Sequence, residues 1–271
     1  MAVFALWSAP RARSTAFFRS MAQRGDLTVL HEPFCNLNDY GETDVGERTF
    51  DSPASLLAWL HDKVHSRDVF LKDTMDQQHD EVLADRRFLA ETRHAFLIRR
   101  PEEIAASYYA LFPPMTIKAI GMERLCEMQA AISDAGGNPP TIIDSDDLIV
   151  RPTATMAAYC TTIGLPFDPR ALTWKPGEQP EWRRSARWHT DASNSSGFER
   201  RERVYLQPSR TPRSWHDTRP ITGPSTSNSW PSGWTLRLGS KEASGQAIRS
   251  SRGPLSRHPA GLARLRFSFA G

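Results

Sequence analysis

Short apolar runs alternate with longer amphipathic stretches along the first two hundred residues of this chain. Residues 3–7 (VFALW), 27–30, 69–72, 94–98 and 141–143 have the length and the β-branched or aromatic content of strands. Between and after them, apolar positions recur at helical spacing over 14–24, 53–65, 101–111, 122–135 and 153–163. The helix boundaries have chemical reasons. Pro101 fits a first helical position, and Glu102 and Glu103 favour the positive end of the helix dipole. Asp144 to Asp147 supply capping carboxylates for the segment that follows. Gly164 and Pro166 stop the helix that ends at 163. The alternation predicts an α/β fold with a central parallel sheet flanked by helices. In such sheets ligands bind outside the carboxyl ends of the strands, so the chemistry is sought there.

The periodicity fades near residue 206. Residues 207–271 carry nine Arg and one Lys against Asp217 and Glu242, a net of +8 inside a total of +3, which leaves −5 on the preceding residues. The same stretch is rich in Ser, Pro, Arg and Gly, with too little apolar surface to offset chain entropy. The expectation is one main domain over 1–203 and a disordered or irregular basic tail over 204–271. Its charge and tryptophans allow weak phosphate attraction and stacking, but no specific nucleic-acid partner is expected. Apolar runs are far shorter than the ~20 residues that span a bilayer, and no basic region precedes the first of them. No membrane contact is expected, and the cytoplasm is the expected location. Cys35, Cys126 and Cys160 lack metal or CxxC spacing, which suits reduced thiols in a core; no metal is expected.

Two strand ends carry candidate chemistry. The first strand runs through Pro10-Arg11-Ala12-Arg13-Ser14-Thr15 directly into a helix. Ser14 and Thr15 place hydroxyls and backbone N–H groups at a helix N-terminus, and Arg11 and Arg13 add positive charge, an arrangement that suits a phosphate or sulfate. The GxxxxGK[ST] pattern of ATPases is absent. By itself the loop is equally a basic capping turn. The fourth strand ends in Arg99-Arg100-Pro101, and Ser107 lies two turns into the next helix. Arg99 and Ser107 can converge on a second anion, distinct from the first, and two anion sites imply a bisphosphorylated nucleotide; the alternative is an exposed Arg pair capped by Glu102 and Glu103.

These residues resemble the sulfotransferases that use 3′-phosphoadenosine 5′-phosphosulfate. The first loop is similar to their 5′-phosphosulfate loop, and RRPEEIAAS is similar to their 3′-phosphate motif, with Ser107 eight positions after Arg99. HEPF at 31–34, FLKD at 70–73 and WHTDASNSSGF at 188–198, which is similar to a loop of bacterial members, extend the resemblance over about 1–203. It implies a three-layer P-loop NTPase-like fold and metal-free, in-line transfer of a sulfuryl group to a hydroxyl or amine of a small-molecule acceptor. Arg11, Ala12, Arg13, Ser14, Thr15, Arg99 and Ser107 would bind the donor.

A general base must take the acceptor's proton. The His found two residues beyond the third-strand Lys in one branch is missing, because Asp73 and Thr74 follow Lys72. Bacterial and protein-tyrosine branches use a Glu just after the second strand, where Glu32 stands, so the resemblance makes Glu32 the preferred base, its pKa expected to be raised by partial burial; His31 is its rival. Arg11 and Lys72 would stabilise charge on the leaving phosphate. Two departures from the family stand out. Arg13 replaces a common glycine, and so either adds a cation or faces solvent. The tail lacks the family's aromatic C-terminal helix; plausible GC-rich codons for it, shifted by two bases, spell LARHPPYYGPFNEQLVAERM, which suggests a frameshift between about 199 and 207. The loops near 34–52, 112–121 and 175–195, with Tyr40, Phe112, Trp174, Trp182 and Trp188, permit an apolar or aromatic acceptor. A phosphate-loop kinase and an inactive nucleotide-binding relative are the competing readings.

Overall fold

The computed structural model describes residues 2–62 and 67–199. In chain order the elements are β1 (Val3–Ser8), α1 (Ser14–Gln23), β2 (Thr28–His31), α2 (Pro33–Tyr40), β3 (Thr43–Val45), β4 (Arg48–Phe50), α3 (Pro53–His61), β5 (Val69–Thr74), α4 (Asp80–Ala84), α5 (Arg86–Glu91) and β6 (Arg93–Ile98). There follow α6 (Pro101–Tyr109), α7 (Met122–Asp134), β7 (Thr141–Asp144), α8 (Ser145–Val150), α9 (Pro152–Ile163) and α10 (Thr190–Ser193), with 3-10 turns at Ile117–Ile120, Pro169–Leu172 and Pro180–Trp188.

Five strands form a parallel sheet in the order β2-β5-β1-β6-β7, and β3 and β4 form a separate antiparallel hairpin. The chain moves outward from β1 to β2, returns through β5, then crosses to β6 and β7. The loops after β1 and β6 therefore leave in opposite directions and open a crevice between them, the place where parallel sheets bind ligands.

Because side chains alternate across a strand, each buried strand feeds two hydrophobic layers. Phe17 of α1 packs on Phe70 of β5 and on Tyr159 of α9 on one face. On the other face Phe34 of α2 and Phe88 of α5 pack against Trp7 of β1. Trp7 donates its indole N–H to His94 Nδ1 at 3.0 Å, and His94 Nε2 meets the Leu89 carbonyl at 3.1 Å, so the polar atoms of this core are paired. Burial pushes the His94 imidazole down to about 4 and keeps it neutral.

The three-layer α/β architecture is the one expected, and the predicted strands are all present with ends shifted by a residue or so. Three features were not anticipated. No helix is predicted between 31 and 52, yet Pro33 opens α2; the β3–β4 hairpin and the short helices α4 and α5 also carry signals too brief for periodicity. The helix expected over 53–65 ends at His61, and residues 63–66 lie outside the described part, as does the whole proposed tail of 204–271 with its suggested frameshift. No helix among the described residues is long and apolar enough to cross a membrane.

The turn after β5 is held by α7. Arg124 donates to the carbonyls of Met75 (3.3 Å) and Asp76 (3.0 Å), and Gly121, at φ +76, lies so close that a Cβ there would sit 2.5 Å from the Met75 oxygen. Gly121→Ala combines left-handed strain with a backbone clash and is expected to cost about 2 kcal/mol or more, read as a lower urea midpoint. An unchanged midpoint would show that the turn yields freely.

Candidate active site

A cleft of about 740 Å³ opens at the carboxyl end of the sheet. One wall is the loop after β1. Arg11 and Arg13 both have left-handed backbones, φ 61 and φ 66, which wrap the chain around the start of α1. Ser14 and Thr15 are its first two residues, so their amides have no intrahelical acceptor and are available to an anion.

The side chains of this loop are already engaged. Arg11 donates to Ser107 Oγ at 3.2 Å and to the Trp188 carbonyl at 2.7 Å. Arg99 donates to Glu103 at 2.9 Å and to the Arg11 carbonyl at 2.9 Å, which supports the strained turn. The two anion sites read as distinct are thus joined directly through Arg11. Arg13 neither faces solvent nor points its charge freely into the cleft: it donates to Ser145 Oγ (3.1 Å) and pairs with Asp146 (2.8 Å), tying α1 to α8. Ala12 departs from its assignment as a donor contact. It is buried, its amide closes a turn on the Ala9 carbonyl at 3.3 Å, and it does not line the cleft.

The opposite wall comes from β2 and β5. Their register sets His31 opposite Lys72, and the Glu32 amide donates to the Lys72 carbonyl at 2.6 Å. Glu32 is itself left-handed, φ 49, at the N-terminus of α2. Asp73 points to the other face of β5 and accepts the amides of Phe34 (2.8 Å) and Thr74 (2.9 Å), which pins the start of α2 and so fixes Glu32. Lys72 forms a short ion pair with Glu32; the side chains are 1% and 14% exposed.

This pair corrects the expected electrostatics. Burial, the largest single influence, would raise the Glu32 carboxyl, but the Lys72 ammonium with its hydrogen bond, joined by His31 and His189, together outweighs it and holds Glu32 well below the usual carboxylate range. His31 is driven well below 6.5, mainly by burial, and its ring does not line the cleft. It sits behind Glu32 against Phe18 and Trp182, with neither ring nitrogen hydrogen-bonded.

His189 went unassigned in the sequence, although WHTDASNSSGF contains it. Its Nδ1 meets Thr15 Oγ1 at 2.9 Å, its Nε2 meets Ser185 Oγ at 3.1 Å, and Nε2 stands 3.9 Å from the Glu32 carboxylate. Burial lowers it to about 4, so it is neutral at pH 7. The end of the motif is scaffolding: Ser193 and Ser195 accept the indole N–H groups of Trp182 (3.3 Å) and Trp174 (3.1 Å), Gly197 bridges to Thr173, and Phe198 packs edge-on to Trp174.

Among the described residues, two clusters have ligand atoms near enough for a metal, His31/Glu32/His189 and Cys35/Asp73/His79. In the first, the Lys72 ammonium already occupies the shared carboxylate; in the second, Asp73 spends both oxygens on backbone amides and His79 bonds the Thr74 carbonyl at 2.9 Å.

The pair has a pH signature. A depressed carboxyl stabilises the fold above its unfolded value of about 4.3, and that contribution is lost as pH falls. In Lys72→Met the unpaired buried carboxylate destabilises at neutral pH and is relieved by protonation. The variant should lose about 3 kcal/mol at pH 7 and distinctly less at pH 4 by urea unfolding, whereas equal losses would rule this linkage out.

A family model described as a sulfotransferase domain matches residues 1–211. Two relatives from Arabidopsis thaliana, branched-chain-amino-acid aminotransferase-like proteins 2 and 1, are 29% identical over 208 residues and 27% over 203, covering 73% and 71% of this chain but 36% of each relative. The chain thus spans about a third of the length of these curated relatives. Among solved structures, the sulfotransferase domain from the curacin biosynthetic pathway matches with TM-score 0.40 and 12% identity over 72% of this chain and 83% of that one. The sulfotransferase domain from the Synechococcus PCC 7002 olefin synthase matches with TM-score 0.43 and 16% identity over 71% and 88%. With its residues 1–211 matched by that model, the chain belongs to the sulfotransferase domain family.

Proposed function

We propose that this domain transfers a sulfuryl group from 3′-phosphoadenosine 5′-phosphosulfate to a hydroxyl or amine of a small-molecule acceptor. The observation that carries the reading is that one cleft is lined both by the helix-start loop, with Arg11, Ser14 and Thr15, and by the Glu32–Lys72 pair with His189. An anion seated on the amides of Ser14 and Thr15 would lie between the two groups. Arg11 and Lys72 would hold the 5′-phosphosulfate and stabilise charge on the departing phosphate, with Arg99 and Ser107 at the adjoining 3′-phosphate.

In the transfer, the acceptor oxygen or nitrogen forms a bond to sulfur while the bond from sulfur to the phosphate oxygen breaks. The electron pair leaves with the 5′-phosphate, and the acceptor's proton passes to Glu32. A carboxylate bound to Lys72 is a weak base, so the reading requires Lys72 to turn from Glu32 to the donor's bridging oxygen, which raises the basicity of Glu32 as the donor is polarised. His31, enclosed behind Glu32, is left with a packing role. The arginine-rich wall supplies the positive charge, so the route through these residues needs no divalent cation.

3′,5′-Adenosine bisphosphate should raise the melting temperature without Mg²⁺, and by more than ATP with Mg²⁺. No shift with the bisphosphate would overturn the donor assignment, and a preference for ATP with Mg²⁺ would favour phosphoryl transfer. Glu32→Gln should lower turnover by about 10²-fold or more with bisphosphate affinity nearly intact. Preserved turnover at saturation with weakened affinity would assign Glu32 to binding.

A further inference from the structure

The cleft lining is of mixed charge. Beside Arg11, Arg13 and Arg99, which belong to the proposed donor loops, it includes the carboxylates of Asp39, in α2, and Asp76, two residues after β5. Asp39 accepts from the neutral amide of Gln77 at 2.8 Å, and Asp76 Oδ2 accepts from the Tyr108 hydroxyl at 3.3 Å. Asp76 Oδ1 is buried and has no hydrogen-bond partner among the described residues. A largely buried carboxylate with no cationic side chain paired to it among those residues is costly; burial first, and then the nearby Glu32, raise its pKa against the opposing effect of hydrogen bonding from Thr74 and Tyr108.

Beside this carboxylate stands an aromatic wall. Tyr108 stacks on Trp188 at 5.4 Å between centroids, and Phe112 closes on both at 6.3 and 6.5 Å. Tyr40 and Phe112 remain 43% and 40% exposed, and both line the cleft. Of the two arginines on this rim, Arg184 is engaged by Glu42 and Asp44, and Arg187 lies over the Trp188 ring at 4.9 Å, a contact that already shows the ring accepting a cation.

We propose that Asp76, Tyr108, Phe112 and Trp188 form an acceptor subsite for a molecule with an aromatic or apolar body and a cationic amine, with the amine held by Asp76 and the rings. A carboxylate next to aromatic rings, of which Phe112 is exposed and Tyr108 and Trp188 are half-buried, recognises such a cation by ion pairing and cation–π attraction together, and repels an anionic acceptor. The subsite deepens the sulfotransferase reading and rests on it for the word acceptor. Asp76 acts here as a specificity determinant, apart from the group that takes the proton.

Three phenols of matching size and different charge test this: tyramine (cation), 4-ethylphenol (neutral) and 4-hydroxyphenylacetate (anion). Each is titrated calorimetrically into the full chain with and without 3′,5′-adenosine bisphosphate. Tyramine should bind about tenfold more tightly than 4-ethylphenol, with the anion weakest. Asp76→Asn should bring tyramine within about threefold of 4-ethylphenol, while Tyr108→Phe, which keeps the carboxylate and the ring, should retain the cation preference. Equal or stronger binding of the neutral or anionic phenol, no binding of any of the three, or an unchanged preference in Asp76→Asn would overturn the subsite. The thermal shift caused by the bisphosphate is read in the same samples. Its absence with the charge preference intact would overturn the donor assignment alone, and its presence without that preference would overturn the subsite alone.

Discussion

A carboxylate and an ammonium buried together at neighbouring strand ends organise this cleft. Glu32 and Lys72 are brought face to face by the parallel register of β2 and β5, and each is affordable in its place only because of the other. The arrangement costs backbone strain as well, since Glu32 is held left-handed at the start of α2. Asp73 supports that conformation from the other face of β5 by capping the Phe34 amide. Successive residues of one strand thus serve different layers, Lys72 as the charge partner and Asp73 as the anchor.

A second constraint closes the cleft from the C-terminal side of the domain. Arg19 of α1 is buried, donates to the carbonyls of Ala192 and Lys175, and stacks against Trp174 and Trp182. It fastens the segment that carries Trp188 and His189 to α1, the helix that the loop after β1 leads into. Arg11 completes the connection by reaching the Trp188 carbonyl. The loop after β1, the motif of 188–198 and α6 consequently meet at Arg11.

Much of the fold was legible in local pattern. The central strands of the parallel sheet are buried on both faces, so they read as largely apolar runs, and α3, α6, α8 and α9 begin with recognisable capping or proline signals. α2 escaped notice because its first turn is specified by Asp73, forty residues away, and not by a capping residue of its own. The strand, loop and helix start at 3–15 were legible from Ser14 and Thr15 following a strand, but the sequence did not reveal that Arg13 is engaged by Asp146 or Ala12 by its own turn. The sign of the Glu32 shift was missed for a related reason: burial of Glu32 could be anticipated from its position, whereas contact with Lys72 required the strand register.

The sequence by itself determined the layer architecture, the helix-start loop and the residue types at the strand ends, because these follow from periodicity, glycine and proline placement and charge within a few residues. Only the tertiary structure decided which charges meet. The five-strand order places Arg11 beside Ser107, Glu32 beside Lys72 and His189, and Asp76 beside Tyr108, pairs separated by between 32 and 157 residues along the chain. Electrostatic energy depends on distance and burial, and neither is encoded in spacing along the chain.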